Sequence, residues 1–319
     1  MQRHFRLGGV APKTIRLRGQ SIIEYVLIIA IIGLVIVFAG PQVSGAIRNQ
    51  FNQVSTTLAS GTDGGFGGGV SGGSTGADSA TVQAAVAKDA KDWTLDEQKA
   101  AATDIAKNGT SSVVYAKAKA AMDAGTKFSL KLTNGKTLEY RIIGIYHDDH
   151  ADGSGSTGLT FEATNDALGA QRMDSVDNYF NSWGESELRA RLNTGDLWAL
   201  LPSELQSKVE TVTKETNAKD SDEVNYPSEA TDKVFLLSMT EIYGDLNSDE
   251  YPEGYQYEYF QSKGVTTSSY SGASSSHGHW TRSARRENTS YFYYVSSNGS
   301  YGSDGNVGYP NPVFPAWCF

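Results

Sequence analysis

Cysteine is nearly missing from this 319-residue sequence: Cys318 stands alone. That excludes an internal disulfide framework and any zinc site built on cysteines. Net positive charge is missing too. The formal charge is −9 at pH 7, so the chain lacks the basic surface that a general nucleic-acid binder needs. No His-Glu-x-x-His occurs, which removes the usual zinc-protease signature. No acidic residue falls within residues 1–19, and no charge of either sign between Tyr25 and Ile47. Glycine, by contrast, is in excess, and the 34 glycines cluster, as they do in flexible linkers. With 39% hydrophobic and 20% charged residues, enough apolar material remains for a packed core.

The N-terminus has a definite organisation. Arg3, Arg6, Lys13, Arg16 and Arg18 precede an apolar run broken only by Glu24. The uncharged stretch from Tyr25 to Ile47 exceeds the roughly 20 residues that span a bilayer as a helix. The basic flank would stay cytoplasmic and send the rest of the chain outward. A secretory signal cut at Ala39-Gly40 or at Ser44-Gly45-Ala46 is one reading. It leaves Glu24 without a role, although a charged side chain at a bilayer centre costs about 2.5–3.5 kcal/mol.

The string Arg18-Gly19-Gln20-Ser21-Ile22-Ile23-Glu24-Tyr25 resembles the processing site of Flp-type prepilins, the tight-adherence (Tad) branch of type IV pilins. The resemblance covers about residues 16–58. It implies a cut by a prepilin peptidase between Gly19 and Gln20, with Glu24 and Tyr25 as the fifth and sixth mature residues. Glu24 would then neutralise the N-terminal amine of a neighbouring subunit and set register between subunits. The helix is expected to continue past the membrane, with Ile47, Phe51, Val54 and Leu58 on one face and a kink at Pro41.

The domain boundaries read as a leader over 1–19, a transmembrane and assembly helix over 20–59, a Gly/Ser linker over 60–79, a helical lead-in over 80–125 and an α+β domain over 126–319. The linker lacks the strand, helix and lysine of a phosphate loop. In the lead-in, Thr94 and Glu97 form a capping-box pattern that starts a helix to about Lys107. A second helix is expected from about Ser112 to Ala124, stopped by Gly125.

In the distal domain, Phe128–Thr133 and Lys136–Ile143 flank Asn134-Gly135, a hairpin signal with a two-residue turn. Further strands are expected at Leu159–Ala163, Val234–Ser238, Tyr291–Val295 and near Val313–Phe319. Helices are expected at Ser186–Asn193 and after Leu201-Pro202, capped by Ser203. Helices would come early and strands late. The ordered motifs Tyr140-Arg141-Ile142-Ile143, His147 to Gly155, Trp183, Leu188-Arg189, Leu192-Asn193, Leu201-Pro202, Glu241 to Gly244, Trp280 to Ser283 and Phe314 to Phe319 resemble a bacterial domain family of unknown function over about residues 93–319. That resemblance implies a fold like C-type lectins and formylglycine-generating enzymes. Such enzymes act through a pair of cysteines that bind copper; with Cys318 alone, the oxidase activity does not carry over.

Several groups of residues are candidates for chemistry. His147, Asp148, Asp149, His150 and Asp152 form the most metal-like cluster; the other reading is a solvated turn, and their spacing does not match a calcium loop of the EF-hand kind. His277 and His279 lie in a Ser/Gly stretch beside Trp280, which reads as a surface loop rather than a zinc site, since a third ligand is wanting. Trp280, Arg282 and Ser283 read as core, with Arg282 paired to a nearby carboxylate; the other reading is a ligand site. Cys318 reads as a buried small apolar residue. Apart from Thr289, Phe292, Val295 and Val307, every residue of 288–309 is Asn, Ser, Tyr, Gly or Asp. These residue types serve adaptable binding loops and also ordinary hairpins. The candidate contact residues are Tyr291, Tyr293, Tyr294, Asn298, Tyr301, Asp304, Asn306 and Tyr309.

The expected fold class is therefore a long N-terminal α-helix of pilin type plus an α+β C-terminal domain that is C-type-lectin-like. The expected function is a modular Flp/Tad-type pilin, not an enzyme, with no cofactor and no metal. Its expected partners are a prepilin peptidase, other pilin subunits, the pilus assembly platform, the membrane before assembly, and a surface ligand, either a glycan or a protein, but no nucleic acid. The cytoplasmic membrane would hold the precursor, and the cell surface or pilus the product, with the C-terminal domain outside. The rival expectation is a membrane-anchored surface protein or enzyme without a pilus role.

Overall fold

The computed structural model describes residues 79–175, 182–219, 225–244, 246, 252–285, 290–301 and 303–319. Three helices come first. α1 (Ala80–Ala87) begins at Ser79, whose hydroxyl accepts from Val82 N at 3.1 Å. α2 (Leu95–Asn108) begins at the expected capping box: Glu97 N donates to Thr94 Oγ1 at 3.3 Å and Thr94 N to Glu97 Oε2 at 2.8 Å. It stops at Gly109. α3 (Tyr115–Ala124) starts later than expected, because Ser112 spends its hydroxyl on Asp104 Oδ2 at 2.6 Å and holds a 3-10 turn. It stops at Gly125, whose φ of +64° suits glycine. The inward residues Val82, Ala101, Ile105, Ala118 and Met122 share one core with the sheet that follows.

That sheet has five antiparallel strands in the spatial order β1 (Lys127–Lys131), β2 (Thr137–Ile145), β3 (Leu159–Ala163), β12 (Ala316–Cys318) and β7 (Val234–Phe235). β1 (Lys127–Lys131) and β2 (Thr137–Ile145) alternate Phe128, Leu138 and Tyr140 inward against Lys127, Ser129 and Glu139 outward, the period-2 pattern of a half-buried pair. The loop between them spans 132–136 rather than two residues. β3 (Leu159–Ala163) is buried throughout because β2 and β12 (Ala316–Cys318) flank it. β7 (Val234–Phe235) closes the edge and is shorter than expected, since Ser238 caps a helix instead. Phe161, Trp317 and Tyr140 pack at centroid distances of 5.0–5.9 Å.

Short helices interleave with the later strands: α4 (Glu187–Asn193), α5 (Asp196–Leu200), α6 (Ser203–Gln206), α7 (Met239–Tyr243) and α8 (Glu258–Ser262). Ser203 is the first residue of α6 and does not cap it; Pro202 holds that place without a side-chain bond. β4 (Ala170–Gln171) pairs with β11 (Asn311–Pro312). A long hairpin of β5 (Val212–Lys219) and β6 (Asn225–Asp232) was not expected from the sequence. β8 (His279–Ala284), β9 (Tyr291–Val295) and β10 (Ser303–Asn306) form a separate three-stranded sheet.

This architecture corrects the expected fold class. From residue 80 onward the chain is mixed α/β, and its helices are short; the longest described, α2, has 14 residues. Among the described residues no helix is long and apolar enough to cross a membrane. The physical reason is punctuation: Gly109, Gly125 and Gly244 end α2, α3 and α7 within a few turns. Helices and strands alternate rather than segregate, so the α+β, lectin-like description is replaced by a mixed one. The expected leader ending at Gly19 and the expected long helix over 20–59, with Gln20, Glu24 and Tyr25, lie outside the described residues.

Gly158 is where α2 meets the sheet. A Cβ there would stand 1.8 Å from the carbonyl oxygen of Ala102, so the helix would have to move off β3. Gly158→Ala is expected to lower stability by about 1–3 kcal/mol or more, read as a lower midpoint in urea. An unchanged midpoint would contradict this close approach.

Candidate functional site

Two polar constellations lie inside the domain. The first is a buried charge network. Arg282, on β8, is fully buried and uses every guanidinium N–H. Nε donates to Glu215 O at 3.1 Å, Nη1 to Leu236 O at 2.9 Å and to Glu241 Oε2, and Nη2 to Glu241 Oε1 at 2.9 Å and Glu253 O at 3.0 Å. This is the carboxylate partner expected for Arg282, and Trp280 is core as expected. Lys214, pointing inward from β5, places Nζ 2.5 Å from Glu241 Oε1 and 2.6 Å from Asp148 Oδ1. Asp148 also accepts from Tyr257 OH at 3.0 Å, from Thr160 Oγ1 and from Cys318 Sγ at 3.4 Å.

Burial alone would disfavour every charge here. Burial pushes the Asp148 carboxyl up, but Lys214 beside it holds it well below the usual carboxylate range. Burial likewise raises Glu241, and Arg282 and Lys214 pull it down. Lys214 is raised because Asp148 and Glu241 outweigh its own desolvation. Two cations thus match two carboxylates. Glu253 is the fifth member. Burial pushes its carboxyl up to about 7, against the opposing pull of Arg282. It accepts from Asn217 N at 3.0 Å and from Ser283 Oγ.

This network divides the histidine–aspartate cluster of 147–152. Asp148 turns inward. His147 stacks on Tyr257 at 4.0 Å, with Nδ1 3.3 Å from Glu258 Oε1. Asp149 accepts from Ser156 Oγ at 2.8 Å, and Asp152 is an exposed turn residue. The solvated-turn reading holds for Asp152 and fails for Asp148. Among the described residues no group of three or more His, Cys, Asp or Glu is placed to hold a metal ion. Cys318 is buried as expected, but against a carboxylate: burial and Asp148 push its thiol well above the ordinary value.

The second constellation lines a cavity of about 300 Å³. Arg141 on β2 and Glu162 on β3 face each other in strand register and pair at 2.9 Å. Burial raises the Glu162 carboxyl beyond what Arg141 offsets. The Arg141 guanidinium lies 4.0 Å over the Tyr259 ring. His279, at the start of β8, stacks flat on Phe314 at 4.3 Å and is 5% exposed. Burial pushes its imidazole down to about 4, so the ring is neutral at pH 7. The surface-loop reading thus holds for His277, which is exposed, and fails for His279, which the strand β8 carries into the interior. Sequence reasoning missed Arg141, Glu162 and Thr164 as site residues. The available signal was one basic and one acidic residue, each inside an apolar strand, at positions that pair.

The candidate contact residues of 291–309 sit elsewhere. Tyr294 packs edge-on to Trp280 at 6.3 Å and Tyr301 to Tyr243 at 5.5 Å. Tyr291 and Tyr293 are half-buried on β9. Asn298 Oδ1 accepts from Ser300 N, Asn306 Oδ1 from Gly308 N, and Asp304 pairs with Arg285. Tyr309 stands out at 71% exposure. None of the eight lines the cavity.

Residues 155–318, just over half of the chain, match a family described as Domain of unknown function (DUF6273). No curated protein and no solved structure matches the chain.

Glu253 gives the site a testable pH dependence. Its folded pKa lies above the ordinary 4.5, so the folded state keeps a proton that the unfolded chain releases between pH 4.5 and about 7. Stability on this account falls as pH rises through that window. Glu253→Gln cannot ionise and is expected to remove the fall. Its advantage over the parent should grow from about zero near pH 4.5 to on the order of 2–3 kcal/mol above pH 7. Parallel stability curves for the two proteins would contradict the buried, protonated carboxyl.

Proposed function

We propose a function from the premise that the family match supplies: the chain belongs to the DUF6273 family, whose name carries no activity. In our reading the chain is a Flp/Tad-type prepilin substrate that displays this domain at the cell surface for adhesion or ligand binding. One observation carries it: a basic leader without acidic residues, Gly19-Gln20, the Glu24-Tyr25 pair and the uncharged run to Ile47 follow in the order such processing needs. A prepilin peptidase would cut after Gly19, leaving the apolar segment in the membrane until other pilin subunits and the assembly platform take it up. Glu24 in apolar surroundings calls for a positive partner, and the freed amine of Gln20 on a neighbour supplies one. The Gly/Ser-rich stretch over 60–79 gives the displayed domain reach.

The display reading is non-catalytic. It is supported by how the described domain spends its reactive groups. The Cys318 thiol is raised by burial and by Asp148, the opposite of an activated nucleophile. Lys214 and Arg282 are held in ion pairs.

The expected mature N-terminus is Gln20, found by mass spectrometry in the fraction sheared from cells. Glu24→Ala is expected to be cleaved normally and to be lost from that fraction. A chain cut after Ala39 or Ala46, one confined uncut to membranes, or wild-type levels of the variant in sheared material would overturn the reading.

A further inference from the structure

Inside the charge network, an amine and two carboxyl groups meet closely enough to react. Lys214 Nζ lies 2.6 Å from Asp148 Oδ1 and 2.5 Å from Glu241 Oε1. All three residues are buried. The Asp148 carboxyl carbon is one C–O bond beyond Oδ1, which puts it close to the separation of about 3–3.5 Å from which held atoms react. Lys214 and Asp148 are 66 positions apart in the chain, so the fold alone brings them together.

The surroundings favour condensation of this pair. At rest the two groups hold each other charged. Burial acts the other way on both, toward the free amine and the neutral acid, which are the forms that combine. The rings of Phe235 and Tyr257 stand 4.4 and 5.4 Å from Nζ and keep bulk water from it. Tyr257 OH lies 3.0 Å from both Asp148 oxygens, and Thr160 Oγ1 donates to Oδ2. Such donors stabilise the negative charge that develops on a carboxyl oxygen under attack. Glu241 touches the same nitrogen and is a base within reach of its proton.

We propose that Lys214 and Asp148 condense into an intramolecular amide, Nζ to Cγ, with Glu241 carrying the proton. One ammonium hydrogen passes to Asp148 within the ion pair, leaving a free amine and a carboxylic acid. The nitrogen lone pair attacks Cγ and forms the C–N bond. Glu241 takes a second hydrogen from the nitrogen and returns it to the departing hydroxyl. The C–O bond breaks, one water leaves, and the third hydrogen stays on the amide nitrogen. The step needs no oxidant or cofactor. One charge of each sign disappears, so Arg282 and Glu241 remain a matched pair. The bond ties β5 to the loop after β2 and braces a chain that has one cysteine and so no internal disulfide. It forms wherever the domain folds, so the inference does not rest on the filament reading.

The test is peptide mapping of the purified full chain by tandem mass spectrometry. The protein is first shown to melt cooperatively and is denatured only before trypsin is added. The expected product joins residues 142–172 to residues 209–219 and is uncut after Lys214. It is one water lighter than the two peptides together. Lys214→Met is expected to abolish it. Glu241→Gln is expected to lower its yield in freshly synthesised protein by about tenfold or more. The parent result decides the bond even where a variant fails to fold. Separate, unmodified peptides from the folded parent would overturn the proposal. So would normal cleavage after Lys214 with the water loss confined to Asp152-Gly153, an aspartyl–glycine step that dehydrates by itself. An undiminished yield from Glu241→Gln would overturn the proton relay.

Discussion

The pairing of Arg282 and Lys214 with Glu241 and Asp148 is the constraint on which the later half of the fold depends. The four residues come from β8, β5, α7 and the loop after β2. Through Thr160 and Cys318 the same cluster reaches β3 and β12. Ions taken out of water are stabilising only when geometry and further hydrogen bonds offset their desolvation. That condition is met at Arg282, whose guanidinium finds five acceptor atoms, and at Asp148, which accepts from Lys214, Tyr257 and Thr160. Glu253, with no third cation to face, is pushed up to about 7 by its burial.

The cavity is a consequence of the same arrangement. Glu241 and Ile242 are neighbours on α7, and Arg282 and His279 share β8. Clamping the charged member of each element sets the position of the cavity-lining member. On the opposite wall, the register of β2 against β3 places Arg141 over Glu162. The contrast between the two constellations is one of completion. Around Lys214 the cationic groups are satisfied by protein atoms, whereas Arg141 Nε, Thr164 Oγ1 and His279 Nε2 are buried without a hydrogen-bond partner.

Some local signals in the sequence held, while others, such as the cap at Ser203 and the two-residue turn at Asn134-Gly135, did not. The Thr94–Glu97 capping box, the stop at Gly125 and the strand at Leu159–Ala163 depend on neighbours in the chain, and all three are present. The β5–β6 hairpin was not legible, although β5 keeps a period of two. Its inward positions are Val212, Lys214, Thr216 and Ala218, and two of the four are polar. Their burial makes sense only with Asp148, Glu241 and Glu253, which lie 66, 27 and 39 positions from Lys214 in the chain. The cluster of 147–152 misled for the converse reason. Residues adjacent in sequence diverge in space, and Asp148 alone turns inward. The cavity draws on Arg141, Thr164 and His279, three distant segments with no motif to join them. The tyrosine-rich stretch over 288–309 was conspicuous by composition, yet Tyr294 packs on Trp280, Tyr301 on Tyr243, and Asp304 pairs with Arg285.

Matched buried charge around Arg282 and Lys214, rather than apolar packing, organises the later half of the domain. A double-mutant cycle on Lys214 and Asp148 tests it most directly, with stability measured in urea. Lys214→Met leaves two buried carboxylates facing one guanidinium, at an expected cost of about 3–5 kcal/mol. Combined with Asp148→Asn, which removes the matching charge and keeps the side-chain shape, the loss is expected to fall short of the sum of the single losses by about 1–3 kcal/mol. Strictly additive losses would contradict the claim.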